Sequence, residues 1–424
     1  MKIIIHGAGK EVGRSCIEVQ SKEGEFLLDC GVKISVGGME YPTRTDTKEI
    51  DAVFISHAHL DHTGCLPLFD YQGLFCPVYA TPATKAIAKI LLMDSFEIEM
   101  AEKHGNVAYK KRDVERIGNA ITTADFNEWN EVHGIKWKFF DAGHIPGSAS
   151  VMLKAENKTI LYTGDINTDE TILMQRINDN YEEKIDILII ESTYGSRNHP
   201  DRKKTEEEFL DLVEEKIKHG PVILPCFAVG RAQEILILLS RRSWEVPIYI
   251  DGMAKKVTDL LFSYPSTFKN PGELKKAYAS ARQVKGGHER DSILREVKNA
   301  IFVTTSGMLD GGPVVRYLAE FYDNPNASII ITGYQVKDSS GRMLLESKKA
   351  RVEKRIVDVK CFVRQFDFSA HAGMDGLKNL IKKIKPEIAI INHGDAEEAE
   401  TLGKFCNSLK IKTFVPSTGE AIEI

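Results

Sequence analysis

From Met1 to Glu191 apolar residues fall in short runs separated by glycine-containing turns, the pattern of a strand-rich segment. Lys2–Ile5, Ser15–Gln20, Glu25–Asp29, Ala52–Ser56, Val78–Ala80, Lys136–Phe140, Ser150–Ala155, Thr159–Thr163 and Ile185–Ile190 read as strands. Pro82–Met93 predicts a helix with Thr81 as its N-cap, and Asp94–Val132 reads as mainly helical and polar. After Glu191 the pattern changes to helices (Phe209–Lys218, Ala232–Ser240) alternating with short apolar strands (Val222–Pro225, Pro247–Ile250, Ala300–Thr304, Ser328–Ile331). Such alternation predicts a parallel sheet with covering helices. Near Val363 the first pattern returns, with a helix over Gly376–Ile384, a strand over Glu387–Ile391 and a helix over Glu397–Leu409. The chain is expected to be α/β, with one discontinuous domain interrupted by a second.

Composition narrows the class. The chain has 424 residues, 42% hydrophobic and 28% charged, which suits ordered domains with sizeable cores. The formal net charge of -5 advertises no nucleic-acid binder, so any attraction for phosphate must be local or supplied by bound metal ions. Seven scattered cysteines without a CxxC argue against a disulfide framework or a thiolate zinc site and for a reducing cytoplasm. The N-terminal MKIIIHGAGKEVG does not read as a signal peptide, and no apolar run approaches a membrane span. GAGKEVG loosely matches a dinucleotide-binding fingerprint, but that needs a helix next, and SCIEVQ reads as a strand.

Candidate chemistry lies at strand ends. His57, His59, Asp61 and His62 form an H-x-H-x-D-H loop directly after the AVFIS strand. Imidazole and carboxylate ligands without thiolate suit zinc or a similar metal. One loop cannot complete two sites, and the missing ligands are expected just past other strands: His144 in DAGHIPGS, Asp165 in LYTGD and His393 in NHGD. Apart from His371, the remaining six histidines, His6, His104, His133, His199, His219 and His288, lack such a setting and read as surface or packing residues.

SHAHLDHTG, the histidine of GHIPGS, the aspartate of YTGD and the aspartate of LLDCG resemble the motifs of the metallo-β-lactamase fold. EST at Glu191, SAH at His371 and NHG at His393 are similar to the three motifs of the β-CASP nucleases. The resemblance is to archaeal and bacterial homologues of the nuclease subunit of the cleavage and polyadenylation specificity factor. It implies an αββα sandwich over 1–195 and 361–424, with an inserted α/β domain over 196–360. It further implies a ribonuclease carrying two zinc ions. His57, His59 and His144 would hold one ion, Asp61, His62 and His393 the other, and Asp165 would bridge them. Asp29 would orient the loop without binding metal, and Glu191 would position His371 as proton donor to the leaving oxygen.

The resemblance implies single-stranded RNA as partner, cut internally or from the 5′ end. The protein would act as a homodimer or within an RNA-processing complex. Two glycine loops, PCFAVGRAQE and TTSGMLDGGP, precede helices whose free amides suit phosphate, the second with Pro313 in the first helical turn. Arg231, Ser306, Gly307 and Arg342 are the expected RNA contacts there, and Gly147 and Ser148 could offer donors beside the scissile phosphate. Three alternatives remain: a DNA nuclease of the same superfamily, which the histidine of NHG disfavours; a non-catalytic RNA-binding scaffold, which the complete ligand set disfavours; and a small-molecule hydrolase of the same fold, which would not need an inserted domain of this size.

Overall fold

The computed structural model describes residues 1–35, 38–44, 46–102, 105, 107–336, 339–352 and 355–424. The chain forms two compact units, Met1–Asn198 with Ala370–Ile424, and His199–Ser369. His104 lies outside the described residues.

The first unit contains two seven-stranded sheets among the described residues. One runs in the order Ala421–Glu423, Lys2–Gly7, Cys16–Ser21, Gly24–Leu28, Ala52–Phe54, Val78–Ala80 and Thr122–Thr123. The other runs Lys412–Phe414, Ile388–Asn392, Ile187–Glu191, Lys158–Tyr162, Ala149–Ala155, Ile135–Asp141 and Asn130–Val132. Alternation along each strand builds four layers. Phe26, Leu28 and Phe54 of the first sheet meet Trp137, Ile187 and Ile189 of the second in one inner core. Their sequence neighbours Leu27 and Val53 face outward under Leu66, Phe69 and Ile117. On the other side Leu188 and Ile190 face Leu377, Leu380 and Leu402 of the outer helices. Phe54 sits at the centre, stacked on Tyr79 at 5.6 Å and edge-on to Trp137 at 5.1 Å. Burying each such side chain contributes roughly 1.5–3 kcal/mol.

Thr81 caps the following helix by accepting from the Thr84 amide at 3.2 Å. That helix runs through Glu102 rather than stopping at Met93. The expected helical stretch also ends early. Lys111–Ala120 is helical, but Thr122–Thr123 and Asn130–Val132 join the sheet edges. No helix follows Lys2–Gly7; Cys16–Ser21 returns antiparallel to it, which removes the dinucleotide-binding alternative.

The second unit is a six-stranded sheet in which every described pairing is parallel, ordered Arg282–Gln283, Ile248–Asp251, Ile301–Thr304, Val222–Pro225, Ser328–Ile331 and Phe362–Gln365. The last strand lies beyond the expected boundary at 360. FVRQ pairs with Ser328–Ile331, so the unit closes at Ser369 and opens at His199 rather than at 196. Pro313 is the N-cap of the helix Val314–Phe321, one residue before its first turn.

Candidate metal centre

The first unit brings strand ends to one edge because the strands concerned run in parallel. Gly24–Leu28 is parallel to Ala52–Phe54, and Lys158–Tyr162 is parallel to Ile187–Glu191 and then Ile388–Asn392. Their C-terminal extensions carry Asp29, His57, Asp165, Glu191 and His393. Two glycines permit the close approach. Gly164 has φ +56, and a Cβ there would sit 2.7 Å from Ser56 Cβ. A Cβ on Gly31 would fall 1.7 Å from the Asp61 carbonyl oxygen.

His57, His59 and His144 converge: His57 Nε2 lies 3.1 Å from His59 Nδ1, which lies 3.3 Å from His144 Nε2. A second group forms around His62 Nε2, which stands 3.4 Å from Asp165 Oδ2 and 3.8 Å from Asp61 Oδ2. His393 Nε2 completes it, 3.5 Å from Asp61 Oδ2. Asp165 Oδ2 touches both groups, at 3.6 Å from His57 Nε2 and 3.8 Å from His144 Nε2. Ligands on a tetrahedral ion with bonds of ~2.0–2.1 Å are separated by ~3.3 Å, so these spacings fit zinc without rearrangement. The ring atoms His59 Nε2, His62 Nε2 and His393 Nε2 are buried without a hydrogen-bond partner.

Other hydrogen bonds aim these rings. His144 Nδ1 pairs with the Ala370 carbonyl at 2.9 Å, which turns Nε2 into the cluster. His62 Nδ1 pairs with Asp29 Oδ2 at 2.6 Å. Asp29, at φ +62, also accepts from the Ser56 amide and hydroxyl, both at 2.7 Å, and from Tyr162 Oη at 2.6 Å. Ser15 Oγ lies 2.9 Å behind Tyr162 Oη. Sequence reading found Asp29 but missed Ser56, two residues past the strand Ala52–Phe54, and Tyr162, the last residue of Lys158–Tyr162, although each leads into a ligand loop. Their hydroxyls are visible as functional only once Asp29 is placed between them.

Electrostatics favour a cation. Burial, with neighbouring imidazoles, holds His57 and His144 well below the usual histidine range, and burial lowers His59 too, keeping their lone pairs free. Burial pushes the Asp165 carboxyl up, but His393, His62 and His371 outweigh it and hold it well below its usual value. Burial lowers His62, yet Asp165, Asp29 and Asp61 together raise it. An ionised Asp165 beside the neutral rings of His57, His59 and His144 forms a buried cluster that a dication balances.

His371 Nδ1 faces both oxygens of Glu191, and its ring lies 4.6 Å from that of His144. Burial lowers its pKa, but Glu191 and Asp165 raise it further, to about 9. Its ligand-type atom also falls within 4.8 Å of those of His144 and Asp165. Glu191 additionally accepts from the Ile166 amide at 2.7 Å, so it caps the loop after Asp165 as well as facing His371.

The other expected contacts divide. Ser148 Oγ accepts from the His144 and Ile145 amides at 3.1 and 3.2 Å, and its own amide donates to Ile145. Ser148 therefore shapes the His144 turn, and its amide is not free for a phosphate. Gly147, at φ +85, presents its carbonyl to the Thr81 and Thr84 hydroxyls. In the second unit Arg231 is buried and ion-paired with Glu234, which corrects the expectation of an exposed phosphate contact: the helix-start position turns this guanidinium inward. Arg342 is exposed and pairs with Glu346 one turn on. Ser306 and Gly307 lie in the loop after Ile301–Thr304, where the Gly307 carbonyl accepts from Gln335.

Two sheets packed face to face between helices, with His and Asp loops at one edge, define a hydrolase of the metallo-β-lactamase fold with an inserted α/β unit. A solved structure from Enterococcus faecalis V583, described as a protein of unknown function, shares the fold at 15% identity and a TM-score of 0.62, covering 100% of this chain and 99% of that one. Residues 232–344 match the Beta-Casp domain, 356–416 the Zn-dependent metallo-hydrolase RNA specificity domain, and 1–196 the Anti-Pycsar protein Apyc1 family. The chain is 41% identical to the probable RNase MJ4 of Methanocaldococcus jannaschii, covering 100% of both. It is 37% identical to an RNase J-like protein of the same organism, over 99% of each. It is also 31% identical to the transcription termination factor FttA of Methanococcus maripaludis, over 99% of this chain and 71% of that protein. The chain belongs to the β-CASP ribonucleases of the metallo-β-lactamase fold. No helix among the described residues is long and apolar enough to cross a membrane.

Proposed function

We propose that the protein hydrolyses phosphodiester bonds of single-stranded RNA with two zinc ions. The observation that carries this reading is the pair of ligand groups sharing Asp165, each with spacings suited to a tetrahedral ion. His57, His59, His144 and Asp165 would hold one ion, and Asp61, His62, His393 and Asp165 the other. Bound zinc supplies a water-derived nucleophile near neutral pH and neutralises charge on the phosphate.

The chain's own residues do the rest. Asp29 holds His62 and, through Ser56, the start of the histidine loop, so the ligands are oriented before any ion arrives. Glu191 holds His371 by Nδ1, and Nε2 would carry a proton to the departing O3′. The His371 imidazolium is stabilised by Glu191 and Asp165, which favours a proton donor over a base.

Digestion of a circular RNA and a 5′-labelled linear RNA by purified, metal-analysed protein tests the reading. Cleavage of the circle marks endonuclease action, and release of labelled mononucleotide marks 5′-exonuclease action. Protein that carries two zinc ions and cuts neither RNA, yet cuts single-stranded DNA, would favour the DNA-nuclease alternative.

A further inference from the structure

Away from the histidine cluster, the edge of the second sheet carries an aromatic and cationic cleft. Trp129 directly precedes the edge strand Asn130–Val132, which pairs with Ile135–Trp137. Lys136 lies opposite Lys154 across the ladder, and Lys138 is two positions on, so all three side chains leave the same face of the sheet. The Nζ atoms of Lys138 and Lys154 each stand 4.6 Å from the Trp129 ring centroid. Because both lysines rise from the sheet, the indole lies across that face, and Trp129 remains 38% exposed.

Lys138 is only 7% exposed, and among the described residues its ammonium faces the rings of Trp129 and Phe140 rather than a carboxylate or carbonyl. Lys154 also reaches Glu183 at 2.8 Å, while Lys136 is exposed. Trp129, Asn130, Glu131, Lys136 and Lys154 line a shallow, open cleft of about 360 Å³.

An exposed indole flanked by ammonium groups is the combination that holds single-stranded nucleic acid, with a base on the ring and phosphates on the cations. A protein partner suits the cleft less well, since Trp129 is the one apolar side chain in its lining. We propose that this cleft is an accessory site for single-stranded RNA, in which one base stacks on Trp129 and the flanking phosphates pair with Lys136 and Lys154. The inference rests on the reading of the protein as an RNA hydrolase. The site shares a strand with the centre, with Lys136 and Lys154 at the end away from it. Lys138 and Asp141 are ~10 Å apart along one strand at ~3.3 Å per residue, and that strand leads into the His144 turn.

Fluorescence anisotropy of labelled oligouridylate on the full-length His371→Ala protein tests it, since that background separates binding from cleavage. Trp129→Ala is expected to weaken binding roughly five- to a hundredfold, the range for losing one stacked base. Trp129→Phe should restore most of the loss, which a merely structural role of the indole would not produce. Lys136→Gln should lower the slope of log affinity against log salt by about one, as expected for one lost phosphate contact. Trp129→Ala affinity within twofold of the parent overturns the proposal. Failure of the wild-type chain to cut any RNA overturns the functional reading instead, because anisotropy reads binding alone.

Discussion

His371 Nδ1 stands 3.2 Å from each carboxylate oxygen of Glu191, a residue that is itself 1% exposed. This pair decides how the first prediction is built. If Glu191 holds His371 as the proton donor, His371→Ala should keep its zinc and lose turnover by roughly 10²–10⁴. Zinc content read beside single-turnover cleavage checks this. Loss of an ion would instead make His371 a ligand, which its approach to His144 and Asp165 also allows.

The same pair has a pH signature in the metal-free chain. Burial lowers the His371 pKa, but Glu191 and Asp165 raise it to about 9, above the ~6.5 of an unfolded histidine. A raised histidine pKa gives stability that is fully present below pH ~6.5 and is lost as pH rises towards 9. The difference in melting temperature between wild type and Glu191→Gln should therefore be largest near pH 6 and shrink towards pH 9. A gap that widens with pH has the wrong sign for this pairing.

Asp29 gathers Ser56, His62 and Tyr162 on one carboxylate. Asp29→Asn puts an amide donor where His62 Nδ1 needs an acceptor. Zinc affinity should fall about 10–100-fold, the usual cost of losing such a support. Chelator competition measures it, and unchanged affinity would show that His62 is held by the ion alone.

Much of this centre is legible in the sequence, because each ligand lies beside the end of a recognisable apolar strand and its type is chemically distinctive. His57, Asp165 and His393 need only parallel strands to meet at one edge. What a local pattern cannot carry is the partner of a side chain. Arg231 looks like a phosphate contact at a helix start, yet Glu234 one turn later draws it inward. Ser148 looks like a donor beside His144, yet its amide and hydroxyl close the turn. FVRQ looks like the resumption of the first domain, but its backbone pairs with Ser328–Ile331, some thirty residues earlier in the chain. The Trp129 cleft is equally invisible, since Lys136 and Lys154 meet only through the strand ladder.

The division of ligands makes the last prediction. His59 Nδ1 is grouped with His57 and His144, whereas His393 Nε2 is grouped with Asp61 and His62. Asp165 Oδ2 reaches both groups. His59→Ala and His393→Ala should then each retain close to one zinc ion per chain, and Asp165→Ala should lose most of both. Truncating His59 leaves the other group with its full complement of ring nitrogens and carboxylates. Truncating Asp165 removes an anion that each group relies on to balance a dication in a buried setting. All three variants should cleave poorly, so activity does not separate them; elemental analysis after dialysis against weak chelator does. Two ions retained in Asp165→Ala would mean the groups are independent sites, and the shared-carboxylate arrangement would have to be abandoned.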